Sequence, residues 1–581
     1  MSEALRTRIV TEFGELEALA GDWARLVAGH PRSQVFHEFA WQRATWAAYG
    51  DQRRLCAVVV SADTIVVGIL PLAQLPEGVR FSAMPHADYC DLLCVPERAG
   101  DVLLEALVTL HRHGVRQVLF QHLPPDSLLL LAREQLPQRW RRRLLVQAGD
   151  PCPTFLATTA ADYQPIVDKK SLRRHERGMQ RLGPLAMTRL RDRASAAREL
   201  PQFFAQHTAR RACAGDQGLF LQQRNRRFYA ALLDAFDPAT QLHFVQLRCG
   251  DTTVAYHFGF RRDARFTWYK PTIHVDYWDE GPGEVLIKRL MEEARDTGVV
   301  EFDFTRGDES FKRRFANHDR PNRHLLLRAP GLRGAIESAR LLLASAVRRR
   351  PRLKALARRG GAALQRLTAA CRRHGPLRVV LRLLHAAARA TVYARDEALV
   401  FHRSPRAEPQ LLAERGLRLS KGRLSELADC ASRYPAHFDG RRMQQARRRL
   451  KDGDQLQLAF AGDEVVHVAW LGQRSEIVAS SEVGTEVTVP LPAMATVIYD
   501  CWTPQPHRGR GVYPAVLSNL QPLVAGQELW IYCHAGNSSS ARGIQKAGFV
   551  LAERLGRMVW FGRFRSSWRR PVAGRDPGVS V

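Results

Sequence analysis

The chain of 581 residues is longer than one hydrophobic core supports, so its length predicts two to four domains. An apolar content of 45% and a charged content of 25% are ordinary for a soluble globular protein. The formal net charge of +29 favours anionic partners such as coenzyme phosphates, sugar nucleotides or a lipid surface. Only nine of the 87 basic residues are Lys, a skew that coding bias explains better than a nucleic-acid site, so nucleic acid is not an expected partner.

The ten cysteines are scattered and form no CxxC pair, which predicts reduced thiols and neither a zinc site nor a disulfide framework. The N-terminal segment carries acidic residues and has no apolar core of signal-peptide length. No window reaches 18 uninterrupted apolar residues, so no membrane span is predicted. We therefore expect a cytoplasmic protein.

The first 155 residues alternate helical and strand segments. WQRATWAAYG predicts a helix, and LCAVVV followed by TIVVGILPL predicts a hairpin that turns at 61–63. DVLLEALVTLHRHG predicts a helix stopped by Gly114, with a strand after it. A similar order returns at 241–306, with a helix ended by Gly298, and again from residue 455. A meander, a crossing helix and a further strand, used three times, predict an α+β layered fold.

Residues 331–395, between the second and third of these segments, contain sixteen Lys or Arg and one acidic residue, Glu337. Leucines recur there at helical spacing, which predicts a basic helical linker over 331–392. This linker is either a solvated connection between folded bodies or an amphipathic segment that lies on an anionic membrane surface. The second alternative would make the protein membrane-peripheral.

The stretch PHRGRG, residues 506–511 and here called the glycine loop, follows the strand TVIYDCW and opens a helix. Free N–H groups of such a loop and the helix dipole can hold a pyrophosphate, and glycines remove the Cβ atoms that would block it. The residues predicted to form this phosphate seat are Arg508, Gly509, Arg510, Gly511 and Val512.

The glycine loop resembles the pyrophosphate loop of the GNAT superfamily of acyl-CoA N-acyltransferases. Asn537, with Lys546, Gly548 and Phe549, resembles the N…K-x-G-F element that follows it in that superfamily. The resemblance implies acetyl-CoA or another acyl-CoA as co-substrate, with its pantetheine arm in a gap between strands and Asn537 contacting that arm. Lys546 is assigned to the coenzyme site on the same ground.

Two positions depart from the GNAT pattern. Pro506 stands where the loop usually begins with Gln or Arg, and Ile544 stands where a tyrosine often protonates the leaving thiolate. Tyr532 and His534 are candidates to replace that tyrosine, with core packing as the alternative. For the general base we select Asp500, on the strand that leads into the glycine loop. A base is needed because an alkyl amine of pKa about 10.4 is neutral in roughly one molecule in a thousand at pH 7.

Residues 281–315 resemble the BioF2-like acetyltransferases of cellulose and exopolysaccharide biosynthesis (the CelD/BcsL-like family), which are kin to the Fem-type aminoacyltransferases. FHEFAWQRATW, HADYCDLL and KKSLRRHERGMQRLG extend this resemblance over about residues 20–325. It implies two GNAT-like halves. It does not specify a substrate.

The segment GPGEVLIKRL offers Gly281 and Gly283 as a second anion seat, with a plain helix-capping turn as the alternative. Asp303, at the end of a strand, and Asp308, after a glycine, are candidates to bind a substrate amine or to act as a base. The alternative is that they form structural salt bridges with Lys312 and Arg313.

We therefore predict tandem GNAT-like domains with mixed, mostly antiparallel sheets flanked by helices. The predicted parts are an N-terminal GNAT-like half at 1–155, a BioF2-like acetyltransferase domain at 156–330, the linker at 331–392, a C-terminal GNAT N-acetyltransferase domain at 393–570 and a tail at 571–581. No metal is expected.

The predicted activity is acyl transfer from acyl-CoA to an amine of a sugar, a polysaccharide precursor or a related metabolite. One alternative is a Fem-like enzyme with an aminoacyl-tRNA donor, for which RNA contact would explain the positive charge. A second is a scaffold of degenerate GNAT domains that docks on a membrane polysaccharide synthase. The sequence specifies neither the acyl chain nor the oligomeric state.

Overall fold

The structure is a computed structural model that describes residues 4–216, 218–329, 375, 393–403, 412, 415–478, 488–493, 495–524, 527–560 and 564–572. The chain divides into two compact units, residues 1–354 and 355–581. The predicted linker at 331–392 lies outside the described residues except for Gly375, and so does the predicted tail beyond Val572.

The described part of the first unit is built from short strands and helices in alternation. Its strands are β1 (Leu5–Val10), β2 (Arg54–Leu55), β3 (Ala57–Ala62), β4 (Ile65–Leu70), β5 (Leu72–Leu75), β6 (Gly78–Phe81), β7 (Leu93–Cys94), β8 (Val118–Leu123), β9 (Leu144–Ala148), β10 (Pro153–Leu156), β11 (Leu185–Arg189), β12 (Leu242–Cys249), β13 (Thr252–Arg262), β14 (Arg265–Ile273), β15 (Glu301–Asp303), β16 (His318–Asp319) and β17 (Arg323–Leu327). Its helices are α1 (Phe13–Glu17), α2 (Ala20–Ala28), α3 (Phe39–Tyr49), α4 (Ala99–Arg112), α5 (Leu128–Gln135), α6 (Gln138–Arg141), α7 (Gln164–Val167), α8 (Lys170–Gln180), α9 (Arg193–Cys213), α10 (Gln223–Ala235), α11 (Pro282–Asp296) and α12 (Ser310–Phe315).

Three sheets organise the first unit. The strand orders are β1-β3-β4-β7, β2-β5-β6-β8-β17-β9 and β11-β12-β13-β14-β15-β10-β16. Most neighbours are antiparallel, and the parallel pairs are β6–β8 and β14–β15. The predicted hairpin at 61–63 is the β3–β4 pair, and the predicted stop at Gly114 follows α4, where Gly114 adopts φ +80°.

The two predicted halves of the first unit share sheets and a core. The predicted boundary at residue 155 falls inside β10, which pairs with β15 of the second half. β17, near residue 325, returns to pair with β8 and β9 of the first half. Trp41 of α3 lies 5.6 Å from Tyr269 of β14, ring centre to ring centre, so one aromatic core joins both halves.

The second unit contains one large sheet with helices on its faces. Its described strands are β18 (Tyr393–Arg403), β19 (Leu417–Lys421), β20 (Gln455–Ala461), β21 (Glu464–Gln473), β22 (Glu476–Val478), β23 (Thr488–Pro490), β24 (Thr496–Trp502), β25 (Leu529–His534), β26 (Val550–Trp560) and β27 (Phe564–Pro571). Its described helices are α13 (Leu424–Arg433), α14 (Gly440–Lys451), α15 (Val512–Asn519) and α16 (Ser538–Lys546).

The large sheet has the order β19-β20-β21-β24-β25-β18-β26-β27, and β22 and β23 form a separate hairpin. All neighbours in the large sheet are antiparallel except the central pair β24–β25. Leu517 of α15 and Ile544 of α16 are buried in a core with the strand residues Ile498 and Ile531. The predicted α+β class, with mixed and mostly antiparallel sheets flanked by helices, is confirmed.

Candidate functional site

The central parallel strands of the second unit separate after three paired residues. Thr496, Val497 and Ile498 of β24 pair with Leu529, Trp530 and Ile531 of β25, and the pairing ends there although both strands continue. We call this separation the C-terminal fork. Between the diverging strands lies a cavity of about 650 Å³, which also reaches the glycine loop and the first turns of α15 and α16. This volume is in the range of small-molecule sites.

The glycine loop leads into α15, and its last backbone N–H groups have no protein acceptor in the part of the chain that the structure describes. Gly509 and Gly511 adopt φ +77° and +76°, which only glycine takes without strain. Within the described residues, none of the amides of residues 509–513 donates a hydrogen bond to a protein acceptor. Gly509, Gly511 and Val512 line the cavity. Such a run of free donors at a helix N-terminus suits an anion.

The predicted residues of the second unit converge on this cavity. Nine of the ten line it, and the exception is Arg510, whose carbonyl accepts from Arg415. The nine are Asp500, Arg508, Gly509, Gly511, Val512, Tyr532, His534, Asn537 and Lys546. Arg542, which was not predicted, adds a further exposed cation to the lining. Cations around a cleft raise the local concentration of an anionic ligand.

Asp500 lies on a bulge of β24. Between the pairs Trp470–Tyr499 and Val468–Trp502, the two residues Asp500 and Cys501 oppose a single residue of β21, and Asp500 has φ +50°. The bulge directs an exposed carboxylate to the cavity, where Arg449 Nη1 donates to it at 2.7 Å. Asp500 and Arg449 therefore form an ion pair.

The other predicted polar residues have local partners as well. The Asn537 side chain accepts from Ser540 N at 3.1 Å and so caps α16. His534 Nδ1 accepts from Gly536 N at 3.0 Å, and its Nε2 lies 3.8 Å from Asp396 Oδ1. Tyr532 is half-buried at the cavity wall. The roles predicted for these three side chains stay predictions.

His467 and Tyr513 are two further cavity residues that the sequence reasoning missed. His467, on β21, is fully buried, and burial lowers its pKa to about 3, so its ring is neutral. Its Nδ1 lies 2.8 Å from Thr503 Oγ1, while Nε2 has no hydrogen-bond partner within the described residues. Tyr513 lines the cavity 3.2 Å from Ser540 Oγ, and burial raises its pKa well above the usual value. For His467 the only sequence signal was a lone polar residue on the apolar strand β21, and for Tyr513 it was a position in the first turn of α15.

The predicted second anion seat differs from the first. Gly281 has φ +74° and precedes α11, and its N–H donates to Trp278 O. Pro282 has no N–H, and the Glu284 N–H donates back to Gly281 O. Neither Gly281 nor Gly283 lines the C-terminal cavity or the cavity of the first unit described below. These contacts favour the helix-capping alternative.

Asp303 and Asp308 occupy opposite environments. Asp308 is exposed and accepts from Arg313 Nε at 2.6 Å, as the salt-bridge alternative expects. Asp303 is 2% exposed, and its Oδ1 accepts from Tyr89 Oη at 2.9 Å and from Thr305 N at 2.7 Å. Burial, with the nearby Glu301 carboxylate, raises the pKa of Asp303 to about 7. Asp303 lines neither cavity.

The raised pKa of Asp303 gives a stability prediction. Between pH 4 and 7 the folded state keeps a proton that the unfolded state releases, so the free energy of unfolding falls as the pH rises through that window. Asp303→Asn removes this loss. The free energy of unfolding of the variant, relative to that of wild type, should therefore rise by up to a few kcal/mol from pH 4 to pH 8. Thermal unfolding of the full chain at both pH values, with Asp308→Asn as the control, measures it. A pH-independent difference would contradict the raised pKa.

No helix within the described ranges is both long and apolar enough to cross a bilayer. The same part of the chain contains no group of three or more His, Cys, Asp or Glu side chains suited to hold a metal ion.

Comparison with known proteins finds one family model similar to part of the first unit. Residues 168–313 match the family described as "Acetyltransferase (GNAT) domain". No curated protein matches the chain. The finer resemblance to the CelD/BcsL-like family stays a prediction.

Solved structures similar to the chain are distant. FemX is 10% identical over 55% of this chain and 96% of its own, with a TM-score of 0.40. The C-terminal domain of a putative lysylphosphatidylglycerol synthetase from Agrobacterium fabrum is 12% identical over 57% and 96%, with a TM-score of 0.38. A GCN5-related glucosamine N-acetyltransferase region of a fungal β-N-acetylglucosaminidase is 11% identical over 56% and 38%, with a TM-score of 0.30. The family match is therefore confined to residues 168–313 of the first unit.

Proposed function

We propose that the protein is an acyl-CoA-dependent N-acyltransferase, with acetyl-CoA as the first candidate donor, and that the C-terminal cavity is its donor site. The observation that carries this proposal is the run of amides at residues 509–513 without a protein acceptor, beside two glycines of positive φ. A diphosphate supplies oxygens for several of these donors. Hydrogen bonds to a charged group contribute about 1.5–3 kcal/mol each.

The fork supplies the path for the rest of the donor. Beyond Ile498 and Ile531 the strand edges no longer bond to each other, so an extended pantetheine arm has room between them and the thioester would reach the level of Asp500. The acceptor amine attacks the thioester carbon, and backbone N–H groups stabilise the oxyanion of the tetrahedral intermediate. The carbon–sulfur bond then breaks without a covalent enzyme intermediate.

Two side chains complete the proton balance. Asp500 accepts the proton that the amine releases on attack. Tyr513, whose raised pKa keeps its phenol protonated, donates a proton to the departing thiolate. Tyr513 thus takes the role of the tyrosine that GNAT enzymes often have at the position of Ile544.

The strength of the base favours a particular acceptor class. A carboxylate is a weak base, so it suits an amine better than a hydroxyl. An amine next to electron-withdrawing ring oxygens, as in an amino sugar, is less basic than a lysine amine and demands less of the base. We therefore propose an amino sugar or a polysaccharide precursor as acceptor. The exopolysaccharide pathway and the membrane contact through 331–392 remain predictions from the sequence.

Release of coenzyme A thiol tests this function. The full chain is incubated with acetyl-CoA and glucosamine, with glucose as the control that lacks the amine. We expect amine-dependent thiol release that is unchanged by ribonuclease. No release with any amino sugar, or activity that appears only with aminoacyl-tRNA and disappears with ribonuclease, would contradict the proposal.

A further inference from the structure

A second cavity, of about 460 Å³, lies in the first unit and has no part in the function proposed above. The parallel strands β14 and β15 pair at Phe266–Phe302 and Thr267–Asp303, and the pairing ends there. Three residues further along each chain segment, Lys270 and Arg306 line the cavity. In the first unit, too, two parallel strands of one sheet, β14 and β15, thus separate next to a cavity. Both strands lie within the region that matches the GNAT domain.

Most polar groups of this cavity are already engaged with one another. Arg306 Nε donates to Asp88 Oδ1 at 2.7 Å, and its Nη1 lies 3.3 Å from Asp150 Oδ2. On another wall, Tyr49 Oη donates to Asn225 Oδ1 and lies 2.7 Å from His86 Nε2. This wall therefore holds no net charge.

His86 and Asn225 hold that wall in place. Burial lowers the pKa of His86 to about 3, so its ring is neutral, and the ring stacks on Phe228 at 4.3 Å. The Asn225 amide donates to Leu219 O at 2.5 Å. A ligand would meet little unsatisfied polarity here.

Lys270 differs from the other polar residues of this cavity, which are engaged with one another. Its ammonium group lies 3.9 Å above the Tyr269 ring, and within the described residues it has no hydrogen-bond acceptor and no ion pair. The charged groups that act on it are Asp88, Arg306, Lys312 and Glu309. Asp88 bonds to Arg306, and Glu309 bonds to Lys312 at 3.0 Å, so each nearby carboxylate is already paired with another cation.

Burial lowers the pKa of Lys270 to about 8, which leaves the amine largely protonated at pH 7. Lys270 is half-buried at the cavity wall, and a partly buried cation without a protein acceptor is normally matched by an anion.

We propose that the first unit binds a small ligand in this cavity through an anionic oxygen, of a carboxylate or a phosphate, held by Lys270. Arg306, which is ion-paired, and the neutral wall around Tyr49 bound the site. The Lys270 ammonium is therefore the group that binds the anionic oxygen. The volume suits a metabolite of modest size. This site is independent of the donor site proposed for the second unit.

The nine lysines of the chain make the proposal accessible to NMR. Reductive ¹³C-methylation gives each lysine its own resonance, and Lys270→Arg assigns the Lys270 signal by its disappearance. We expect this signal to titrate near pH 8, below the usual lysine pKa of about 10.4. Sodium succinate and inorganic phosphate, compared at constant ionic strength, distinguish a carboxylate from a phosphate ligand.

Succinate or phosphate should shift the Lys270 resonance to saturation, while exposed Lys451 stays unchanged. Lys546, which lines the C-terminal cavity, reports separately on coenzyme A, so failure at one site is distinguishable from failure at the other. Anion-dependent thermal stabilisation should be lost in Lys270→Met and kept in Lys451→Met. A Lys270 signal that neither probe moves, or stabilisation that survives Lys270→Met, would overturn the proposal.

Discussion

Replacing Asp500 with Asn is expected to lower kcat/KM for acyl transfer by about 10²–10⁴-fold, the usual contribution of a general base, while coenzyme A affinity is unchanged. Asn adopts positive φ as readily as Asp, so the bulge at φ +50° persists in the variant. What is lost is the proton acceptor and its ion pair with Arg449. Thiol release and calorimetric binding of coenzyme A measure the two effects separately.

Asp263→Asn is the matched control for this change. Asp263 has φ +51°, in the turn between β13 and β14, and it lines neither cavity. This variant should retain full activity. If Asp500→Asn lost less than about tenfold, the base would have to be a group other than Asp500.

Replacing Gly509 and Gly511 with Ala is expected to weaken coenzyme A binding by about 10–100-fold. An Ala at φ near +76° costs about 1–2 kcal/mol, and relief of that strain turns the loop amides away from the diphosphate. Loss of one charge-assisted hydrogen bond corresponds to roughly tenfold in affinity, and loss of two to about a hundredfold. At residue 511 a Cβ would also lie 2.6 Å from Arg415 Nη1. Calorimetry with coenzyme A measures the change.

Gly462→Ala separates this effect from a general loss of stability. Gly462 has φ +58° in the turn between β20 and β21, and a Cβ there would meet nothing within 4 Å. Its substitution carries a similar backbone cost at a position that does not line the cavity. Equal loss of affinity in both variants would argue against a role for the loop amides.

The local elements of this fold follow from the sequence because their signals are local. The turn between β3 and β4, the helix at Ala99–Arg112 and the glycines after α4 and α11 depend on side-chain period and on residues that tolerate positive φ. The glycine loop was predictable for the same reason. Its strand, its glycines and its helix are consecutive in the chain.

The remaining features depend on contacts between distant residues. The return of β17 to β8 joins Leu325 to Phe120, and no periodicity in either strand indicates the partner. Asp500 pairs with Arg449, 51 residues earlier, which the spacing of charges does not reveal. Lys270 resembles any lysine within a strand until the fold surrounds it with carboxylates that are already paired. Such features arise from tertiary packing and not from propensity.

Hydrogen exchange at the glycine loop tests the central claim most directly, since that claim is that the amides of residues 509–513 bind the diphosphate of coenzyme A. Exchange at this segment is followed by mass spectrometry with saturating coenzyme A and with pantetheine, which lacks the diphosphate. We predict that exchange at 509–513 slows with coenzyme A and not with pantetheine. Neither ligand should change exchange at 281–285. Unchanged exchange at 509–513 with coenzyme A bound would contradict it.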